Sequence, residues 1–516
     1  MLQQKSNTLD SVLTACSILY VVIPIIIFFF GWLKFYIAAP VSLIFVIFAC
    51  SLYNELRAKS IEVISKDSFK FWMIVLVCLG VWVLISGIGG VFYQNGDLIA
   101  RNPTYRDLCK YEWPLIYDMS TQNEAVQEVL GAGKFAFSYY FSWWLVPALV
   151  VKIFSFGQAG QDVCIYIWAL LGVFLTAYNL CRYFRKTSFV ILIVLIFYSG
   201  LDIIGYPIGN YLGGRPLIAS NFFMGHIESW SGQQYSSTTA ALFWVFNQAI
   251  PTWVIMSLFL QLYDSKNELA LCSMTFAYSA WVGCGIIPIA LVSVFKHSKS
   301  LRKIFSPQNL LVPLSMMIIY GLFYLTSNGA LDHSGTFFRL YDKIHIAAYL
   351  LAVLLEFVLY YIIMGRKAIK FDFYFVVFIW LLLIPSYKVI SNSNDWIMRA
   401  SLPALFIVMT FLMRCLMFEL KGTRKTVLII AMVIAAWTPI CEFNRSIFNT
   451  TVYELNAHNL LPASMHHLVV EPRRDEVYSF GNVRVNDKAL DYIKIIQNNY
   501  FAYNYETSTF FKYLAK

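Results

Sequence analysis

The sequence predicts an all-α polytopic membrane protein: about 13 membrane-crossing helices, one outer interfacial helix and a small mixed C-terminal segment. Three observations carry this reading. Hydrophobic residues make up 59% of the 516 and charged residues 13%, against about 25% charged in soluble domains. Runs such as Val21–Phe30 and Phe189–Phe197 are too apolar for a water-facing helix. Basic residues cluster at the ends of such runs, where membrane topology accounts for them. The formal net charge of +10 therefore does not point to nucleic acid, and no nucleic-acid partner is expected.

Taken in order, the spans fall near 11–32, 36–53, 71–92, 163–181, 189–206, 245–262, 268–282, 284–295, 309–326, 345–364, 373–390, 400–418 and 426–440. Asp10 precedes the first, which has no small-residue cleavage site and reads as a retained helix. Orientation follows from basic short loops. These are Arg57, Lys59, Lys66 and Lys70; Arg182, Arg185 and Lys186; Lys296, Lys299, Arg302 and Lys303; Arg366, Lys367 and Lys370; and Lys421, Arg424 and Lys425. All belong inside, which puts the N-terminus inside and the C-terminus outside.

Two places constrain the count. Between residue 93 and the cluster at 182 the chain must cross an odd number of times, yet two apolar stretches lie there. Phe137–Phe156 carries Tyr139, Tyr140, Trp143, Trp144 and Lys152, so it is assigned to the interface, and Cys164–Cys181 crosses. Glu268–Phe295 has inside flanks on both sides. A split at Gly283-Cys284-Gly285, near Pro288, gives two short helices that return to the same side, a form tolerated where broken helices are buried or line a cavity. The chain then divides into a transmembrane domain, 1–440, with outer loops 93–162 and 207–244, and an outer segment, 441–516. The ten cysteines lie mostly inside predicted helices, form no CxxC pair, and read as small buried residues. Six of the seven histidines fall outside, all but His297, which places the polar chemistry there.

Four outer constellations carry candidate chemistry. In the first loop, Asp97 and Arg101 share a helix face at i,i+4. Asp97 reads either as a general base at a cavity mouth or as a solvated cap in a surface ion pair. In the second, His226, Glu228 and Trp230, with Tyr235 nearby, resemble a sugar subsite; the plainer reading is an aromatic belt at headgroup level. A third metal ligand is not supplied by spacing, so no metal is assigned. In the third, Asp395 lies in a short polar turn between two apolar helices and Arg399 opens the next helix; Arg399 either grips a phosphate bidentately or staples the turn to Asp395. The fourth runs from Asp332-His333 through Arg339, Asp342 and Lys343, with Arg339 a further phosphate ligand or a snorkelling interface residue. The tail ends Phe510-Phe511-Lys512-Tyr513-Leu514-Ala515-Lys516, which either docks on the membrane domain or forms a surface strand. No P-loop, GxSxG, HExxH or dinucleotide pattern occurs.

This layout resembles the GT-C class of membrane glycosyltransferases, which take sugars from polyprenyl phosphates outside the membrane. Asp97 and Tyr139-Tyr140-Phe141-Ser142-Trp143-Trp144 match that class's acidic first loop and aromatic horizontal helix; the acidic loop here follows the third span rather than the first, which leaves Glu228 as the alternative base. The layout is also similar to the serotype-converting O-antigen glucosyltransferases, whose functional C-terminal lysine Lys512 would match. The resemblance implies a bacterial inner-membrane hexosyltransferase with a GT-C-like bundle. It implies a polyprenyl-phosphate sugar as donor, with no cofactor, and a polysaccharide or lipid-linked glycan of lipopolysaccharide type as acceptor. Asp97 or Glu228 would be the base. Arg101, Arg339 and Arg399 would hold phosphate. His226, Trp230, Asp395 and Lys512 would hold sugar or acceptor. An O-antigen polymerase or ligase, and a transporter or flippase, are the competing expectations; the latter calls for charge at midplane, where Glu356 is the chief candidate.

Overall fold

The computed structural model describes all residues except 1–7, 60–62, 66–67, 123, 219–221, 263, 298, 328–334, 338–342, 390–392, 461, 463 and 466–499. The expected Arg339, Asp332-His333 and Asp342 lie outside the described residues, as does tail 466–499. Among the described residues nine helices are long and apolar enough to cross a membrane: Thr8–Trp32, Phe35–Ala58, Gln158–Phe184, Phe189–Leu212, Thr238–Phe259, Leu301–Tyr324, Ile346–Lys370, Asp395–Glu419 and Gly422–Ala457. Phe69–Ile85, Ser142–Phe154, Glu268–Ala277, Ala280–Lys296 and Tyr374–Ser386 are shorter apolar helices. The chain is a mostly helical, multi-pass membrane protein.

Thr238–Phe259 is the central helix. It is buried on every side, as expected of a helix apolar all round. Its backbone leaves helical geometry at Val245, with φ −135° and ψ 35°. Pro251 follows and cannot donate to the carbonyl four residues earlier. The kink thus falls beside the polar pair Asn247-Gln248, both fully buried.

Three expected boundaries are corrected. The break assigned to Gly283-Cys284-Gly285 lies instead at Tyr278-Ser279, and Ala280–His297 runs continuously through the glycines. Those glycines permit close packing: a Cβ on Gly283 would meet the Phe276 ring, and one on Gly285 the carbonyl of Ala400. The expected span 189–206 is interrupted between Phe197 and Asp202. Its freed backbone groups find long-range partners: Leu201 N–H donates to Leu355 O at 3.1 Å, Thr238 N–H to Tyr198 O at 3.1 Å, and the Tyr360 hydroxyl to Ser199 O at 2.7 Å. The last helix continues past residue 440 to Ala457.

Phe137–Phe156 is not one helix. Lys134–Phe137 is a strand, Ser142–Trp144 a 3₁₀ turn and Leu145–Phe154 an α-helix. The helical part covers about 20 Å at 1.5 Å per residue, short of the roughly 30 Å hydrocarbon core. Its tryptophans do not form a lipid-facing belt. Trp143 and Trp144 are buried, and the Trp143 indole donates to the Tyr20 hydroxyl at 2.8 Å.

Two small sheets complete the fold. β1 (Ile116–Asp118) pairs antiparallel with β2 (Lys134–Phe137), which pairs antiparallel with β5 (Phe501–Ala502); β3 (Gly335–Phe337) pairs with β4 (Tyr387–Val389). The C-terminus docks on the membrane domain rather than forming a free strand. Lys34 N–H donates to Leu514 O at 2.9 Å, Lys516 N–H to Trp32 O at 3.0 Å, and Ala515 bridges Leu33.

Candidate functional site

The first cluster gathers around two arginines. An Asx-type turn sets the first: Asn95 Oδ1 accepts from Asp97 N–H at 3.1 Å while its amide donates to Phe243 O at 2.6 Å. Leu98–Lys110 then forms a helix with Asp97 at its start. Asp97 does not cap that helix through its side chain; its carboxylate accepts from Arg101 at 2.8 Å. The expectation that Arg399 opens its helix is corrected: the helix begins at Ser393 and runs to Arg414, so Arg399 lies inside it, paired with Asp395 at 2.7 Å. Asp97 and Asp395 are each 38% exposed, whereas Arg101 and Arg399 are 3% and 7%. The carboxylates face outward and the guanidiniums inward.

The guanidiniums converge on a wall of tyrosines. Arg399 lies 5.9 Å from the Tyr140 ring centre, and Arg101 lies 5.7 Å from that of Phe246 on the central helix. Tyr139 packs on Tyr140 at 3.8 Å and stacks on Tyr500 at 3.9 Å. The two arginines are near enough to repel, and both act on Tyr139. Burial opposes the charge on Arg101, and Asp97 with the neighbouring phenols outweighs it, so its pKa lies above the ordinary value. Burial holds Tyr139 and Tyr140 well above the usual phenol range, so both remain hydrogen-bond donors. Nε and Nη1 of Arg101 and Nε of Arg399 have no protein hydrogen-bond partner. Buried donors left unmatched cost about 1–3 kcal/mol each, more when charged. An oxyanion with several oxygens satisfies them, and the fork of Arg suits phosphate.

The second cluster is acidic. Glu228 is fully buried. One oxygen accepts from Ser237 N–H at 2.8 Å, and the other has no protein hydrogen-bond partner. Burial pushes its pKa up to about 7; the charges of Asp202 and Glu442 add to this, while His226 and the Ser237 hydrogen bond oppose it. His226 meets Glu442 at 3.1 Å and Gln234 at 3.0 Å. Burial works against an imidazolium there, but Glu442 outweighs it, so His226 titrates above the usual value. Glu442 also accepts from the Trp244 indole at 3.1 Å and pairs with Arg445. Asp202 accepts from Trp230 at 3.3 Å and Thr438 at 3.0 Å, and hydrogen-bonds Glu356. Glu356 sits on a π-helical turn, Leu354–Val358, against Gly200 in the helix break. A Cβ on Gly205 would strike the Trp230 ring, so that glycine lets the indole reach Asp202.

Two helices join the clusters. On the central helix Trp244 touches His226, Phe246 faces Arg101, and the Asn247 amide donates to Tyr140 O at 3.4 Å. On the Ser393–Arg414 helix, Met398 meets the Gln234 amide at 3.5 Å, next to Arg399. The structure thus brings Asp97, Arg101, Asp395 and Arg399 together, and separately His226, Glu228 and Trp230. Lys512 stands apart: it is exposed, its ammonium lies over Tyr513, and its carbonyl accepts from Lys34. Among the described residues no group of His, Cys, Asp and Glu is arranged to hold a metal ion.

Sequence reasoning did not single out Asp202, Asn247, Gln248, Glu442 or Tyr500. A polar pair inside the apolar run Phe243–Ile250, just before Pro251, is a signal that marks Asn247-Gln248. Asp202 and Glu442 each follow an apolar run and show no local pattern, and Tyr500 has none. No protein-family model, no curated protein and no solved structure matches this chain.

Proposed function

We propose that this chain is a membrane glycosyltransferase, moving a hexose from a polyprenyl-phosphate donor to a cell-surface glycan on the periplasmic side of the bacterial inner membrane. One observation carries the reading: two buried arginines with unmatched donors converge on one tyrosine wall. Phosphate is the leaving group in such a transfer, and positioned cations stabilise the charge that develops on it. Arg101 and Arg399 fill that role, held inward by Asp97 and Asp395.

Glu228 is the better base. Asp97 already forms an ion pair, whereas Glu228 keeps one oxygen without a partner and titrates near neutrality, where a general base works best. The acceptor O–H gives its proton to Glu228 as its oxygen bonds the sugar carbon. The bond from that carbon to the phosphate oxygen breaks, and the electron pair leaves on phosphate. His226 and Trp230 border this acid and suit the hydroxyls and faces of a sugar.

A transporter is the second reading, favoured by the Asp202–Glu356 contact within helices long enough to span, since intramembrane acids mark transport pathways. Glycan mass spectrometry separates the readings. Cells carrying the protein are compared with cells lacking it, and with Glu228→Gln and the Arg101→Gln/Arg399→Gln pair at matched expression. A hexose increment present only with the intact protein supports transfer. A changed chain length points to a polymerase or ligase. No glycan change, or full modification by all variants, defeats the proposal.

A further inference from the structure

We infer that Tyr500 is a binding residue of the arginine cluster, and that the residues after it form a strap which holds it against the tyrosine wall. This rests on the arginine cluster being a phosphate site, and adds to it a residue supplied from the far end of the chain.

Tyr500 lies parallel to Tyr139, with 3.9 Å between ring centres and 12° between planes. Both are buried, at 8% and 5% exposure. Tyr139 feels both Arg101 and Arg399, and Arg101 feels the phenols of Tyr139 and Tyr500 together. Tyr500 therefore belongs to the same tyrosine wall as Tyr139 and Tyr140, on which the guanidiniums act. Its hydroxyl adds a third phenol to those of Tyr139 and Tyr140. A lipid phosphate monoester or diester, rich in acceptor oxygens, is the ligand class that such donors recognise.

Among the described residues, short-range strand pairing and ring packing hold Tyr500. Its carbonyl accepts from Ser138 N–H at 2.8 Å, and β5 contributes only the pairs Phe137↔Phe501 and Ala136↔Ala502. So short a strand is marginal alone. The anchors lie on either side of a turn. Phe501 is fully buried, 4.7 Å from Phe135. Phe510 is fully buried, 5.1 Å from Phe323. Beyond it, Leu514 and Lys516 bond the backbone of Lys34 and Trp32. Trp32 in turn lies 4.7 Å from Phe141, next to Tyr140. The strap is thus anchored at both ends, and Phe510 is a positioning residue for Tyr500.

The test measures binding of decaprenyl monophosphate, with inorganic phosphate as competitor, to the purified full-length protein in nanodiscs. Arg399→Gln, Tyr500→Phe, Tyr500→Ala and Phe510→Ala are compared with the parent, each checked for an unchanged melting temperature. The parent binds the lipid, and inorganic phosphate competes. Arg399→Gln weakens binding by about tenfold or more, Tyr500→Ala by about tenfold, and Tyr500→Phe by about threefold through the lost hydroxyl. Phe510→Ala weakens binding and speeds hydrogen exchange at the Ser138 amide. If Arg399→Gln loses binding while Tyr500→Ala and Phe510→Ala bind like the parent, the strap inference fails and the phosphate reading stands. If Tyr500→Phe matches the parent while Tyr500→Ala is weak, Tyr500 is packing only and its binding role is refuted. A parent that does not bind, or an Arg399→Gln that binds as well as the parent, overturns the phosphate reading and the inference with it. If Phe510→Ala cannot be purified folded, Leu514→Gly, at the same anchor, replaces it under the same criteria.

Discussion

In the arginine cluster each guanidinium has one carboxylate partner, four residues away in the chain. In the acidic cluster local pairs, Glu442 with Arg445 and Asp202 with Ser199, are joined by partners from far along the chain: Glu442 meets His226, and Asp202 meets Trp230, Thr438 and Glu356. A local pair fixes a side chain without using its full capacity, and leaves donors for a ligand. A network of distant partners fixes whole helices against one another and uses most of its acceptors. The arginine cluster is therefore suited to binding and the acidic cluster to holding the bundle. Glu228 and Glu356 are exceptions among the described residues, each with an unused oxygen, and of the two Glu228 lies outside the helices long enough to span.

Replacing Arg399 separates the two regions most sharply. Arg399→Ala removes a charge aimed at the departing phosphate, and transfer falls by about 10²–10³-fold, the usual loss for one such donor. Sugar transfer in isolated membranes at matched protein levels measures it. Asp395 is partly exposed and rehydrates, so the melting temperature changes little. A large loss of stability with unchanged transfer in the surviving protein would assign Arg399 to the scaffold and erase the contrast.

The opposite pattern is expected for Glu442. Glu442→Ala strands Arg445, the Trp244 indole and His226, all of which it now holds. Breaking a buried pair by removing one partner costs about 3–5 kcal/mol. Thermal unfolding in detergent should show a marked fall, while lipid-phosphate binding per folded molecule stays near the parent value.

The same contrast governs what the sequence discloses. The class was legible from composition and from basic loops, because span length and charge placement are local properties. The pairs Asp97–Arg101 and Asp395–Arg399 were legible because a helix puts i and i+4 on one face. The break at Tyr198–Leu201 was not, since it is sustained by Leu355, Thr238 and Tyr360, far away in the chain. The break expected at Gly283 was misplaced for a related reason. Glycine serves both helix breaks and close helix packing, and only the neighbouring Phe276 and Ala400 decide which. Tyr500 was hidden because its meaning lies in Tyr139, which no spacing rule connects to it.

Glu228 gives a smaller, pH-dependent effect. Its carboxyl titrates near 4.5 in the unfolded chain and about 7 in the folded one. Between these values the folded state holds a proton that the unfolded state has released, so this group's stabilisation is full below about pH 4.5 and fades as pH rises through 7. Glu228→Gln cannot ionise, so the stability of the parent relative to the variant should decline across that window. Transfer by the parent should rise on an alkaline limb near pH 7 as the base deprotonates. A difference in stability that is flat with pH would remove Glu228 from its buried, proton-holding state and make it one more structural acid.

The smallest effect is expected at Lys512, and it decides how the tail contributes. The side chain is exposed, lies over Tyr513 and is engaged by neither cluster; what the docked terminus uses of this residue is its backbone carbonyl, which Lys34 reaches. Lys512→Ala keeps that carbonyl and all the backbone bonds of Leu514 and Lys516. Transfer should stay within about twofold of the parent, since exposed charges contribute little. A tenfold loss on removing this ammonium, with the Ser138 amide still protected from exchange, would mean that the tail delivers charge to the substrate rather than a phenol to the tyrosine wall. The acceptor role that the resemblance gives to Lys512 would then replace the role argued for Tyr500.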